Sequence, residues 1–304
     1  MKTKLNKILI LCSACWCFSA QVNAQQNAQT SQYHFNTMII NPAYPATDSA
    51  SSATLQARNQ WMGVEGAPQT ATFAFYTPLK ASNTSLGFTA IQDKITVYTQ
   101  TGLNANVAQK IKLDENLYLS MGLKVGMEQT KEDNTSLGTD DPVFSQNQSY
   151  WKTDVGFGFM IFNEKFQIGL SSPSFQKFDM GTSVNKLEFK RAIYVHGAYL
   201  HDINDDFKVK PGLLIRQVKG AGVQADLNAS LLIKNMIWVG GTWRTEKTMG
   251  VFTQVQVSRN FQFAYAYDFA SAKYLKGGQS GTHEMMLNYR FSWKKGQEFG
   301  QRYF

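Results

Sequence analysis

The chain has 304 residues, 43% hydrophobic and only 17% charged, with a mean hydropathy of -0.30. Its formal charge is +8, of which Lys2, Lys4 and Lys7 carry three units, leaving +5 beyond residue 24. No Lys/Arg run of five or more occurs and no basic patch interleaves with aromatics, which leaves nucleic-acid binding with little support. The modest hydropathy does not exclude a membrane protein, because strands with one oily and one wet face cancel in any average.

The first element is an export signal. Three lysines precede an apolar run over residues 8–20, then Val22-Asn23-Ala24 offers small residues before Gln25. The run is too short for a retained helical span, which takes roughly 20 apolar residues, so residues 1–24 read as a cleaved signal peptide. Cys12, Cys15 and Cys17 all lie inside it, and the mature chain is therefore expected to lack disulfides and thiolate metal ligands. A lipoprotein reading with Cys15 acylated is disfavoured, since Cys12-Ser13-Ala14 lacks an aliphatic residue three places upstream.

Residues 25–52 are Gln/Ala/Ser-rich and then irregularly apolar. Asn41-Pro42 ends any helical turn there, because the residue before proline disfavours helical geometry. The segment is expected at the periplasmic mouth or inside the lumen of a barrel built from the residues after it.

From residue 53 to 293 the pattern changes to period two. In residues 221–234, Val223, Ala225, Leu227, Ala229, Leu231 and Ile233 alternate with Gln224, Asp226, Asn228 and Ser230. Fourteen such strands are expected, at 53–62, 69–78, 84–92, 99–111, 116–129, 150–163, 165–172, 188–202, 206–219, 221–234, 236–246, 248–258, 260–269 and 282–293. Turn formers such as Asn83, Asn163-Glu164, Asn204-Asp205-Asp206 and Arg259-Asn260 follow the even-numbered strands, while several odd connections are long, at 130–149, 173–187 and 270–281. An even strand count with alternating short and long loops is the pattern of an all-β, transmembrane outer-membrane β-barrel of about 14 antiparallel strands. The parity puts both termini in the periplasm and leaves 294–304 as a periplasmic tail.

Glycines such as Gly87, Gly122, Gly156, Gly158, Gly212 and Gly240 fall inside strands. No helix pattern follows Gly156-Phe157-Gly158, so a nucleotide loop is disfavoured against easing of curvature and lumenal packing. Trp61, Trp151, Trp238, Trp243 and Trp293 lie near strand ends or on strand faces and suit the two interfacial girdles.

Chemistry is sparse. His196 and His201 stand five apart on one strand, on opposite faces, and cannot share a metal without rearrangement. A hydrolase pairing of His196 with Ser171 or Ser230 has no support from spacing. Glu132, Asp133, Asp140 and Asp141 offer oxygens to Ca²⁺ but lack EF-hand spacing and read as a solvated loop. No catalytic, cofactor or metal site is assigned.

Ser31-Gln32-Tyr33, Phe35-Asn36 and Ile40-Asn41-Pro42-Ala43-Tyr44 resemble the opening signature of the PorP/SprF family of type IX secretion outer-membrane proteins. Arg58-Asn59-Gln60-Trp61-Met62-Gly63-Val64-Glu65-Gly66-Ala67-Pro68-Gln69-Thr70 resembles the family's first hairpin, Asp141-Pro142-Val143-Phe144 a later loop motif, and Arg302-Tyr303-Phe304 its ending. Pro45-Ala46-Thr47 departs from the usual Ala-Gly. The resemblance implies a non-enzymatic barrel that helps export or anchor cell-surface proteins, such as gliding adhesins, bearing a C-terminal secretion domain. The implied partners are outer-membrane lipid, the secreted protein through that domain, and periplasmic and outer-membrane components of the secretion or gliding machinery. Tyr33, Phe35, Asn36, Asn41, Pro42 and Tyr44 are the candidate partner contacts, and bracing of the barrel suits them equally. A diffusion porin or small-molecule transporter is the alternative function.

Overall fold

The computed structural model describes residues 30–79, 82–138, 145–175, 178–180, 187–189, 191–218, 222–245, 248–269, 280–293, 300 and 302–304. The expected signal peptide, with Cys15, lies outside them, as do Asp140, Asp141 and the motif at 141–144.

Alternation makes the strands, and pairing closes them. In chain order they are β1 Ser51–Asn59, β2 Gln69–Pro78, β3 Thr84–Ile95, β4 Tyr98–Asp114, β5 Leu117–Glu132, β6 Gln148–Phe162 and β7 Phe166–Ser172. A small hairpin comes next, β8 Phe178–Met180 with β9 Leu187–Phe189, then β10 Ala192–Tyr199 and its short continuation β11 His201–Asp202. The rest are β12 Phe207–Val218, β13 Val223–Ile233, β14 Ile237–Arg244, β15 Thr248–Gln256, β16 Phe261–Asp268 and β17 Thr282–Phe291. Each barrel strand pairs antiparallel with its chain neighbours, β10 pairs with both β7 and β12, and β1 pairs with both β2 and β17. Fourteen strands therefore form a closed ring, with no free edge to attract another chain.

The ring is inside-out relative to a soluble protein. Leu55, Leu123, Val125, Leu227, Val251 and Met285 point outward and are exposed, whereas Gln56, Asn104, Asp226, Asn228, Arg244 and Glu284 point inward and are buried. On β13 the oily set faces out and the wet set faces in, as lipid outside and a polar lumen inside require. The girdle expectation fails for Trp238: it sits on the inward register of β14 and packs inside with Leu232 and Phe252.

The long-loop and short-turn ends are unequal. Tight turns join β2 to β3, β4 to β5, β6 to β7, β11 to β12, β13 to β14 and β15 to β16, the end that bacterial barrels present to the periplasm. Three local departures from expectation have physical causes. β1 ends at Asn59 because the chain then turns through positive φ at Trp61 (49°), Gly63 (98°) and Gly66 (72°). The strand expected at 188–202 begins at Ala192, since 187–189 pairs instead with 178–180, and its ladder lapses at Leu200, close to Pro211, which has no N–H to give. The β3–β4 connection is only Thr96 and Val97, with Thr96 at φ 52°.

Candidate functional site

The lumen is the site, and the chain's own residues 30–50 fill it. They form no strand and no α-helix, only 3-10 turns at Thr37–Ile39 and Tyr44–Thr47, and nearly all are buried. Their hydrogen bonds to the wall run through side chains, so the segment is a stopper and not an added strand.

The start of this plug is clamped in the long-loop half. Glu284 accepts the backbone N–H groups of Ser31 (2.7 Å) and Gln32 (3.1 Å), and the Ser31 hydroxyl donates to Asp268 (2.5 Å). Arg244 donates to Ser31 Oγ (2.7 Å), Asp226 (2.9 Å) and Asp268 (3.2 Å), while Arg58 pairs with Glu284 and Asp268. Three carboxylates face two guanidiniums here. The plug's N–H groups offset the surplus negative charge, since a buried carboxylate needs donors on its remaining lone pairs. The described part of the segment thus runs through the lumen: Ser31 lies far up it, while Ser51 starts β1 at the short-turn end.

Midway down, the Asn-Pro-Ala-Tyr signature explains the strand glycines. Asn41 donates to the Phe159 carbonyl (3.2 Å), lies 3.1 Å from His196 Nε2, and its Oδ1 accepts the N–H of Ala43 (3.0 Å). A Cβ on Gly158 would collide with Asn41, one on Gly122 with the Pro42 backbone, one on Gly169 with His196, and one on Gly87 with Met38. Inward glycines on β3, β5, β6 and β7 thus form the plug's footprint, and Ser120 and Ser171 beside them donate to the carbonyls of Ala43 (2.7 Å) and Ile40 (2.6 Å).

At the short-turn mouth, Asp48 is held by Arg290 (2.7 and 3.1 Å) and Tyr76 (2.7 Å). Burial works to raise the Asp48 carboxyl, but the Arg290 and Arg302 guanidiniums outweigh it and hold the group below the usual carboxylate range. Burial raises the Tyr44 phenol and, with Lys210 and Arg244 nearby, lowers the His34 imidazole well below its ordinary value, so His34 is neutral. The C-terminal residues fold back into this mouth: Arg302 donates to the Phe35 carbonyl (3.1 Å) and Tyr76 (3.0 Å), and Tyr44 donates to the Phe304 carbonyl (2.8 Å).

All six residues singled out in the sequence therefore converge inside the barrel. Tyr33, Phe35, Asn36, Asn41, Pro42 and Tyr44 are buried, so contact with a partner requires the plug to move. Ser171 and His196 sit on adjacent strands, but their polar atoms serve Ile40 and Asn41, and Ser230 donates toward the Lys210 carbonyl. Among the described residues no group of three His, Cys, Asp or Glu is placed to hold a metal. Sequence reasoning missed the clamp of Arg58, Asp226, Arg244, Asp268 and Glu284. Its one visible signal is a charge on the wet face near the long-loop end of each of five strands.

A closed antiparallel barrel with an apolar exterior, a charged interior and its own N-terminal segment as stopper is a membrane protein that crosses the outer membrane with strands. Residues 22–289 match the family model of the type IX secretion system membrane protein PorP/SprF, and the chain belongs to that family. It is a multi-pass β-barrel of the outer membrane. No curated protein matches it in sequence. Among solved structures it is similar to the CymD monoaromatic hydrocarbon channel, at 11% identity and a TM-score of 0.53 over 91% of this chain and 96% of that one. It is also similar to a Pseudomonas aeruginosa FadL homologue, at 9% identity and a TM-score of 0.50 over 85% of this chain and 94% of that one. These likenesses show the fold alone.

Proposed function

We propose that the chain is a sealed, non-enzymatic barrel that helps export or anchor cell-surface proteins bearing a C-terminal secretion domain, in company with other components of the secretion or gliding machinery. The observation that carries this reading is the filled lumen: a barrel whose interior is occupied by its own residues 30–50 and closed at one mouth by residues 302–304 is built to hold and dock rather than to conduct. The hydroxyl and imidazole that a hydrolase needs are engaged in seating the plug. Family membership supports the secretion context. A cleaved signal over residues 1–24 is part of the same proposal.

The test is deletion of the gene. Specific large surface proteins should disappear from the cell exterior while uptake of small hydrophilic solutes stays unchanged. An intact surface proteome sinks the export role. The second reading, a diffusion channel, draws on the likeness to the structure of a hydrocarbon channel. It predicts the opposite pattern, altered solute uptake with the surface proteins in place.

A further inference from the structure

We propose that the C-terminal residues are a lock on the plug: the N-terminal segment leaves the lumen only after Gly300 and residues 302–304 have been displaced from the short-turn mouth. This stands whatever cargo the barrel serves.

Tethering sets the exit route. The plug is continuous with β1 at Ser51, on the short-turn end, while its Ser31 end lies in the long-loop half. Pulled toward the long loops, the segment would still run through the lumen from that tether. Only withdrawal through the short-turn mouth empties the barrel, and this is the mouth that the tail crosses.

The tail grips the plug and the wall at once. The Arg302 guanidinium bridges the Phe35 carbonyl of the plug (3.1 Å) and the Tyr76 hydroxyl of β2 (3.0 Å). The Phe304 carbonyl accepts from Tyr44 of the plug (2.8 Å), the Tyr303 carbonyl accepts from Lys210 Nζ (2.5 Å), and the Gly300 carbonyl accepts from Arg290 (3.1 Å). Tyr303 and Phe304 also pack on the apolar cluster of Phe35, Leu232, Trp238 and Phe252. Charge-assisted bonds onto carbonyls are stronger than neutral ones, and the rings exclude water from them. Room for release exists beside the tail, in a cavity of about 540 Å³ between Lys110, Tyr118, Phe162, Arg302 and Phe304.

Thiol accessibility reads the lock directly, because the three cysteines all precede residue 18 and an introduced one is the only thiol from Thr30 onward. Ala46→Cys places it on a buried plug position, 2% exposed. In the chain from Gln25 onward, which carries none of the three native cysteines, held in micelles, the rate of labelling by a charged maleimide should rise at least 10-fold when residues 300–304 are deleted, and several-fold with Arg302→Ala. Arg302→Lys should recover part of the protection, and Tyr44→Phe, which removes the hydroxyl that donates to Phe304, should raise the rate about twofold. Glu284→Gln, at the far end of the plug, shows that the assay detects plug motion. If that variant speeds labelling while deletion of the tail, Arg302→Ala and Tyr44→Phe all leave the rate unchanged, the lock is refuted. Tyr44→Phe and Arg302→Ala leave the barrel strands untouched, so the proposal stays testable if the deletion prevents folding.

Discussion

Asn41 occupies the space that a side chain on Gly158 would need, so a plug residue and a wall glycine fit as one unit. Asn41→Ala removes its bonds to Phe159, His196 and Ala43 and should cost about 1–3 kcal/mol. Gly158→Ala should cost a similar ~1–3 kcal/mol by overpacking. The double variant should cost clearly less than the sum, because the new methyl group enters the vacated space. Unfolding midpoints of the four proteins in urea decide this, and strictly additive costs would show that the two residues do not share one niche.

The clamp should outweigh any surface ion pair. Arg244→Ala strips a buried guanidinium from Asp226, Asp268 and Ser31 and should destabilise the barrel by roughly 3–5 kcal/mol, the scale for orphaning a buried charge. Lys165→Ala, which breaks the exposed pair with Asp202 on the short-turn rim, should leave the midpoint unchanged. Equal effects from the two substitutions would mean that the lumenal network is as well solvated as the rim.

Much of the fold could be read from the residues, and most of the site could not. Strands such as β13, β16 and β17 declare themselves because lipid on one side and a polar lumen on the other impose period two on every neighbouring pair. The plug has no period, and what places it is contact across great sequence separation: Ser31 with Glu284, Tyr44 with Phe304, Asn41 with His196. No local pattern encodes such pairings. The inward glycines are visible as glycines inside strands, but only the seated Pro42 and Asn41 show what each makes room for. Trp238 escapes sequence reasoning for a related reason, since aromatics near a strand end suit a girdle or a lumenal cluster equally and strand parity alone decides.

Acid should loosen the plug before it melts the wall. His34 is neutral when seated, first because it is buried and then because Lys210 and Arg244 stand near it. A released His34 titrates near the ordinary value of about 6.5, so below that pH the released state binds a proton that the seated state does not. Stability of the seated plug is therefore full above pH ~6.5 and falls by up to about 1.4 kcal/mol per pH unit below it. Asp48 adds a second loss only at lower pH, because its depressed carboxyl contributes stability above its ordinary range and surrenders it as pH falls through the seated value. Labelling of Ala46→Cys, taken relative to a free thiol at the same pH because only the thiolate reacts, should thus accelerate between pH 6.5 and 5, and His34→Phe should flatten that slope. A slope that survives the substitution would assign the effect to another group.

The two faces of β13 should respond oppositely to charge. Leu227 is 49% exposed on the outer wall, and Leu227→Arg should cost ~2–4 kcal/mol if it lies near the bilayer midplane. Gln224→Arg, on the inner register near the long-loop end, should be tolerated. Insertion into lipid vesicles followed by heat-dependent migration on gels measures both. Tolerance of Arg at 227 would remove that face from the lipid.

Removing the plug should convert a closed barrel into a pore. Barrels of about eight strands are filled by their own side chains and those of sixteen or more hold an aqueous channel, so a ring of fourteen is wide enough to conduct once emptied. Residues 30–48 supply most of the filling, through Tyr33, Phe35, Met38, Ile40 and Tyr44, and the wall beneath them is lined with Ser120, Ser171, Asn228 and Arg244, which water can solvate. Liposomes carrying the intact chain should retain a small sugar, and those carrying a variant that lacks residues 30–48 should release it. Leak from the intact chain would place the lumen among open channels and favour the transport reading. A sealed deletion variant would mean that the wall collapses inward, and that the inward glycines at 87, 122, 158 and 169 permit closure instead of seating the plug.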